Sequence, residues 1–259
     1  MKIITLGTSH GDHTYCRFNS STLLEFGEDR YLIDAGVPVD ALLFRRKVDF
    51  NDLMAVFVTH MHGDHAAGIP NLIKYIEKMD EKGKRQGNPR RRPASFFLPE
   101  DQAILPLTQW CQALHLKCPS PLFSLNAVCA GVVYQDQNII VTAHPTRHLV
   151  SHTGQGPISF AYQVQGEGKN LLFTGDLTPD FSDFPQIALE QPFDLIFCEA
   201  THYPPQAALP TLERTRTKAL VFYHIHDPWH GEGETRLLDY YRSLDYPCRI
   251  AHDGDAFEL

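Results

Sequence analysis

No stretch of this chain approaches the roughly 18 consecutive apolar residues that a membrane-crossing helix needs. Only Ile3-Ile4-Thr5-Leu6 separates Lys2 from Gly7, too short for the apolar segment of a secretory signal. Cysteine is also scarce. Six residues (Cys16, Cys111, Cys118, Cys129, Cys198 and Cys248) in a chain of 259, with no C-x-x-C pair, exclude a disulfide-built scaffold. They read as reduced thiols in a cytoplasmic protein, and Cys198, set in an apolar run, reads as core. Positive charge is short as well. A formal net charge of -8 excludes a protein whose whole surface grips nucleic acid and leaves only a local patch. No internal repeat of about 20 to 50 residues is visible.

The remaining composition is that of an ordinary folded protein. A hydrophobic share of 43% against 21% charged residues can bury a core without cross-links. The length suits one large domain or two small ones, and residues 1–259 are read as one domain. Histidine is the residue in excess, with fourteen copies, several of them at the ends of predicted strands.

Three of these fall in Thr59-His60-Met61-His62-Gly63-Asp64-His65. Neutral imidazole and carboxylate are the ligands of zinc and its neighbours. Residues 53–58 read as a short buried strand and residues 66–79 as a helix, so the cluster occupies the turn between them. There His60 and His62 can address one point while Asp64 and His65 address another. Two adjacent cations suit that arrangement better than one.

Around this turn the chain alternates strands and helices. Strands are predicted at 2–6, 21–26 and 30–34, the last two joined by a Gly27-Glu28-Asp29 turn. A short helix follows at 39–46. Ile69-Pro70 opens a helix with Leu72, Ile73, Ile76 and Met79 on one face. Gly83, Gly87, Asn88, Pro89 and Pro93 are expected to break it after about Glu81. The following segment, rich in Lys82, Lys84, Arg85, Arg90, Arg91 and Arg92, reads as an exposed, mobile basic insertion at about 80–93. It serves either phosphate contact beside the site or simple solvation. Further strands are predicted at 94–98, 138–143, 158–165, 170–174, 193–199 and 219–224, with helices at 100–116, 211–217 and 232–241. Residues 119–133 give no clear pattern. The alternation suits an α/β protein, an αββα sandwich of two mixed β-sheets flanked by helices.

The Thr59–His65 motif resembles the signature of the metallo-β-lactamase superfamily of metal-dependent hydrolases. The opening, with Leu6-Gly7-Thr8 and Ser20-Ser21-Thr22-Leu23-Leu24, is similar to the RNase Z branch of that superfamily. Position by position, the resemblance implies that His60, His62 and His148 hold a first metal, that Asp64, His65 and His224 hold a second, and that Asp176 of Thr174-Gly175-Asp176 bridges them. It implies that Asp34 orients the metal loop; as a bare residue Asp34 is equally a turn former. It also implies two divalent ions, Zn2+ first with Mn2+ or Fe2+ as alternatives, and a homodimer by analogy. His144 and His152 compete with His148. His226 competes with His224, since both fall on one side of an extended chain.

The branch carries His-Glu-Ala-Thr where this chain has Cys198-Glu199-Ala200-Thr201, so the branch's catalytic His is absent there. His202 can take over as the general acid, oriented by Glu199; as a bare residue it is equally a loop histidine near the site. Asp64 can help deprotonate the attacking water. His10, His13 and His230 sit in loops that can line the cleft; singly, each reads as a surface residue outside the ligand set. The expected function is a phosphodiesterase acting through a metal-bridging hydroxide on a small cyclic nucleotide, a cyclic phosphate or an RNA end, with no membrane partner. The alternatives are hydrolysis of an ester, lactone or thioester by the same metal pair, and a non-catalytic metal-dependent nucleic-acid-binding or sensory module.

Overall fold

Apolar residues run almost unbroken through most strands because both faces of each sheet are covered. The computed structural model describes residues 1–87, 89–151 and 156–259, so Asn88 and His152 lie outside the described residues. Strands β1 (Lys2–Gly7), β2 (Ser21–Phe26), β3 (Asp29–Ile33), β4 (Leu53–Phe57), β5 (Ala94–Leu98) and β6 (Phe123–Ala127) stand in that order in the first sheet. The second sheet holds β7 (Gly131–Gln135), β8 (Ile139–Pro145), β9 (Phe160–Gly166), β10 (Lys169–Phe173), β11 (Leu195–Ala200), β12 (Leu220–Ile225) and β13 (Cys248–Ile250). A last strand, β14 (Ala256–Glu258), returns to the first sheet beside β1. Each sheet has seven strands and mixes parallel with antiparallel pairs.

Strand alternation sorts the core into three layers. Leu24, Tyr31, Ile33, Ala55 and Phe57 of the first sheet face Val141, Tyr162, Phe173, Phe197 and Val221 of the second. Their neighbours Leu23, Leu32 and Val56 point outward and pack under α1 (Val39–Arg45), α3 (Ile69–Gln86) and α4 (Ile104–Ala113). Ile196, Cys198, Leu220 and Phe222 do the same under α6 (Pro205–Leu212) and α7 (Gly233–Tyr240). This is the expected sandwich. No helix among the described residues is long and apolar enough to cross a membrane.

Four expectations shift. The helix after the histidine turn is split: α2 (Gly63–Ala66) ends before Gly68, whose N–H donates to Ala35 O at 2.8 Å. A Cβ at Gly68 would lie 2.6 Å from that oxygen, so the backbones meet where a side chain cannot fit. Second, α3 does not stop near Glu81 but runs through Gln86 and is capped by Gly87 at φ 75°. A glycine inside a helix costs about 1 kcal/mol relative to alanine. Gly83 is tolerated because it is buried and because Asp80, one turn earlier, binds Lys84 Nζ at 2.6 Å and Arg90 N at 3.0 Å. Third, the helix expected at 211–217 lies earlier, at α6, where Pro205 occupies the first turn and Ala208 and Leu212 are buried. Fourth, the helix expected at 100–116 is shorter: α4 spans only Ile104–Ala113 after a 3-10 turn at Asp101–Ala103, and Pro106 sits in its first turn, where its missing N–H has no intrahelical partner to lose.

The basic segment is not a free loop. The Arg90 guanidinium donates to Phe50 O at 2.6 Å and to Leu53 O. Arg91 pairs with Glu28 and Asp52 at 3.0 and 3.3 Å, and Arg92 with Asp29 at 2.6 Å. These partners lie at the amino ends of β3 and β4. The histidine turn leaves the carboxyl end of β4, so the arginines sit at the opposite edge of the sheet from it.

Candidate metal centre

Strands β3, β4, β5 and β6 run parallel to one another, as do β10, β11, β12 and β13, and β8 shares that direction through two antiparallel steps. The loops leaving the carboxyl ends of β4, β8, β10 and β11 carry His60 to His65, His148, Asp176 and His202, and His224 lies near the carboxyl end of β12 itself. Polar groups gather there because strands that end together leave a crevice with unpaired backbone and no core to fill.

The turn after β4 is held from below by Asp34. Its Oδ1 accepts from Thr59 N at 2.8 Å and from Thr59 Oγ1 at 3.0 Å, and its Oδ2 accepts from His65 Nδ1 at 2.8 Å. That last bond fixes the orientation of His65 and aims its Nε2 at the crevice, 3.3 Å from Asp64 Oδ2 and 3.5 Å from Asp176 Oδ1. The expected orienting role of Asp34 is therefore present in the hydrogen bonds.

Asp176 is the hub. Its Oδ2 lies 3.5 Å from His60 Nε2, 3.7 Å from His148 Nε2, 3.7 Å from His202 Nδ1 and 3.4 Å from His224 Nε2. His62 Nδ1 is 3.0 Å from His60 Nε2 and 3.4 Å from His148 Nε2. The side chains converge in two main groups, His60, His62, His148 and Asp176, and Asp64, His65 and His224. A third grouping joins Asp176, His202 and His224. All seven residues expected as ligands are thus brought together, and so is His202.

The two open alternatives separate by geometry. His144 is still within β8, and its Nε2 bonds Gln163 Oε1 at 3.1 Å, away from both groups. His224 is buried while His226 is exposed. The alternation that would put both on one side fails because His224 has φ 51° and the β11–β12 register slips at that point. Such a backbone is strained for a residue with a Cβ and persists when its surroundings hold it. Here Ser20 Oγ bonds His224 Nδ1 at 2.7 Å. The sequence marked neither this contact of Ser20 nor that of Tyr223, whose hydroxyl accepts from Gly175 N at 3.2 Å. Both contacts span long chain separations.

Glu199 is fully buried and accepts from Leu177 N at 2.7 Å, Thr201 N at 2.9 Å and His202 N at 3.0 Å, besides His202 Nδ1 at 2.9 Å. Burial disfavours a charge on His202, but the Glu199 carboxylate outweighs it and lifts the pKa to about 9. Asp176 is held well below the usual carboxylate range: burial opposes ionisation, and His224, His65 and His60 overcome it. His65 is raised well above its ordinary value, because Asp176 and Asp34 outweigh its burial. Cys198 is core, as expected, with its Sγ 3.3 Å from Tyr203 Oη. His10 departs from expectation in being buried rather than on the surface; His13 is exposed and His230 half-buried.

Do these residues fit a metal? His65 Nε2 and Asp176 Oδ1 are buried with no hydrogen-bond partner among the described residues. Buried polar atoms are ordinarily satisfied. Three imidazole nitrogens meet at 3.0 to 3.5 Å beside one carboxylate oxygen. A single proton can bridge one such pair, but only a cation serves all three. The donors are nitrogen and oxygen without thiolate, a set suited to zinc, manganese or iron.

This fold and this donor set define a protein of the metallo-β-lactamase fold. YhfI from Bacillus subtilis, a protein of that fold, superposes with a TM-score of 0.78 at 18% identity, covering 100% of this chain and 99% of YhfI. Human tRNase Z, short form, superposes at 0.73 and 18% identity with 100% and 99% coverage. Zn2+-bound PqqB from Methylobacterium extorquens gives 0.70 at 14% identity with 100% of both chains covered. In sequence, ribonuclease Z of Bacillus velezensis is 26% identical over 169 residues, 64% of this chain and 49% of that protein. Ribonuclease Z of Pseudomonas putida is 39% identical over 75 residues, 28% and 24% of the two chains. The chain spans about half the length of the first of these relatives and about a quarter of the second. The family model of the anti-Pycsar protein Apyc1 matches residues 1–87. In sequence the chain is similar to ribonucleases Z, and in fold to proteins of the metallo-β-lactamase fold.

Proposed function

We propose that residues 1–259 form one metal-dependent hydrolase unit that cleaves phosphodiesters. The observation that carries this reading is Asp176, a buried carboxylate set between two groups of imidazoles with one oxygen unpartnered. His60, His62 and His148 would hold one divalent ion, Asp64, His65 and His224 a second, and Asp176 both, with zinc the first choice. When bound, such a pair supplies Lewis acidity toward phosphoryl oxygens and makes water a nucleophile at neutral pH.

The chain's own residues do the rest. Asp34 and Ser20 hold His65 and His224 in the tautomers that turn Nε2 toward the crevice. Asp64, beside His65 and His224, accepts a proton from the attacking water. Glu199 holds His202 by Nδ1 and keeps it protonated near neutral pH, so Nε2–H is the ring's free donor for the departing oxygen. The guanidinium groups of Arg90 to Arg92 are engaged at the far edge, so they offer no arm to a long nucleic acid at the site. This favours a small phosphodiester, such as a cyclic nucleotide or cyclic phosphate, over an RNA end.

The test is turnover of bis(p-nitrophenyl) phosphate with metal content measured by elemental analysis. About two ions per chain and diester cleavage are expected. The His202→Ala variant should lose on the order of 10²-fold in kcat while keeping its metal. Two bound ions without cleavage of any diester would overturn the reading.

A further inference from the structure

A second imidazole group stands beside the metal centre and takes no part in it. The loop after β1 and the loop after β12 run together, with Ile225 N donating to Thr8 O at 2.8 Å. They bring His10, His226 and His230 around Asp227. His10 is buried and fully committed: its Nδ1 accepts from Asp12 N at 3.3 Å, and its Nε2–H donates to Asp227 Oδ1 at 3.0 Å. His230 is committed through Nε2 to Ile225 O at 2.8 Å. The His226 ring stands edge-on to His10, 5.5 Å away and at 83°.

What this bracing leaves free is informative. The Asp227 side chain is 66% exposed, and its Oδ2 has no hydrogen-bond partner among the described residues. The exposed His226 ring has none either. His226 follows His224 by two residues. A Cβ on Gly11, next to His10, would come within 4.0 Å of Asp64 Oδ2, so the wall adjoins the metal crevice directly.

A carboxylate here repels a second phosphate. A fixed carboxylate oxygen beside an imidazole accepts and donates hydrogen bonds, which suits a neutral group rich in hydroxyls. Carboxylates recognise ribose hydroxyls in this way in dinucleotide sites. We propose that Asp227 and His226, held by His10, form a subsite for the hydroxylated sugar on one side of the scissile phosphate. The subsite rests on the phosphodiesterase reading and makes the substrate a ribonucleotide rather than a deoxyribonucleotide or a simple diester.

The experiment compares kcat/KM of the metal-loaded protein for uridylyl-uridine, its 2′-deoxy counterpart and bis(p-nitrophenyl) phosphate. The wild type should prefer the ribo compound over the deoxy one by about tenfold or more, the size of one lost hydrogen bond to a charged group. Asp227→Ala and His226→Ala should each collapse that ratio, lowering cleavage of uridylyl-uridine about tenfold more than cleavage of bis(p-nitrophenyl) phosphate. His226→Ala leaves the His10–Asp227 bond in place, so loop damage would not explain its effect. Calorimetry with uridine and 2′-deoxyuridine reads the subsite without turnover. Equal ribo and deoxy values in the wild type, or variants that lower all three substrates alike, would overturn the subsite. Absence of all diester cleavage alongside selective uridine binding would overturn the phosphodiesterase reading and leave the subsite standing.

Discussion

The two edges of the sandwich both carry charged and titratable side chains and use them in opposite ways. At the amino ends of β3, β4 and β8, each carboxylate meets a donor. Asp29 receives Arg92 and Asn138 Nδ2, Asp136 receives the hydroxyls of Tyr31 and Tyr134, and Asp80 receives Lys84 and Arg90 N. At the carboxyl ends, acceptor faces acceptor. Imidazole nitrogens close to 3.0 Å, and buried atoms of His65 and Asp176 stay unpartnered. A set in which each carboxylate has its own donor serves the fold, even where Arg90 Nε and Asn51 Oδ1 stay unpartnered. A set that converges and stays incomplete is organised for something the protein binds.

Substitutions at the two edges sharpen that contrast. The largest effect is expected from Asp176→Ala, which removes the carboxylate proposed to serve both ions. It should cut diester turnover by at least about 10³-fold and leave fewer than two ions per chain, read by elemental analysis. Asp34→Ala comes next. It strips His65 Nδ1 and Thr59 N of their acceptor and should weaken metal binding by about 10- to 100-fold in a chelator competition, with activity restored at high metal. At the opposite edge, Arg90→Ala should cost about 1–3 kcal/mol in denaturant unfolding, since two buried carbonyls lose a charged donor, while metal content and kcat stay unchanged. Arg91→Ala, at an exposed ion pair, should leave both the denaturation midpoint and catalysis nearly where they were. If either arginine variant altered kcat, the separation of the edges would be wrong.

The histidine turn was readable because its candidate ligands are local. Four of the seven lie within six residues behind a strand of Leu53 to Phe57. Asp176 was readable because it ends the strand at Phe173, and Glu199 and His202 because they end another. Other parts had no local mark. The choice of His224 over His226 turned on a positive φ at His224 and a register slip between β11 and β12. A period-two pattern assumes both are absent. Arg90 to Arg92 looked like a solvated run because their partners, Glu28, Asp29, Asp52 and Leu53 O, lie far back in the chain.

By itself, then, the order of residues determined the layered architecture, through strands apolar on both faces. It also determined the identity of the donors, through a His and Asp spacing that few other structures would use. Only the tertiary structure decided which histidines join the site, which hydroxyl holds them, and that the basic segment belongs to the far edge. Those outcomes depend on contacts between residues tens to hundreds of positions apart, such as Ser20 with His224. Their free energy exists only once both sheets have closed on the common core.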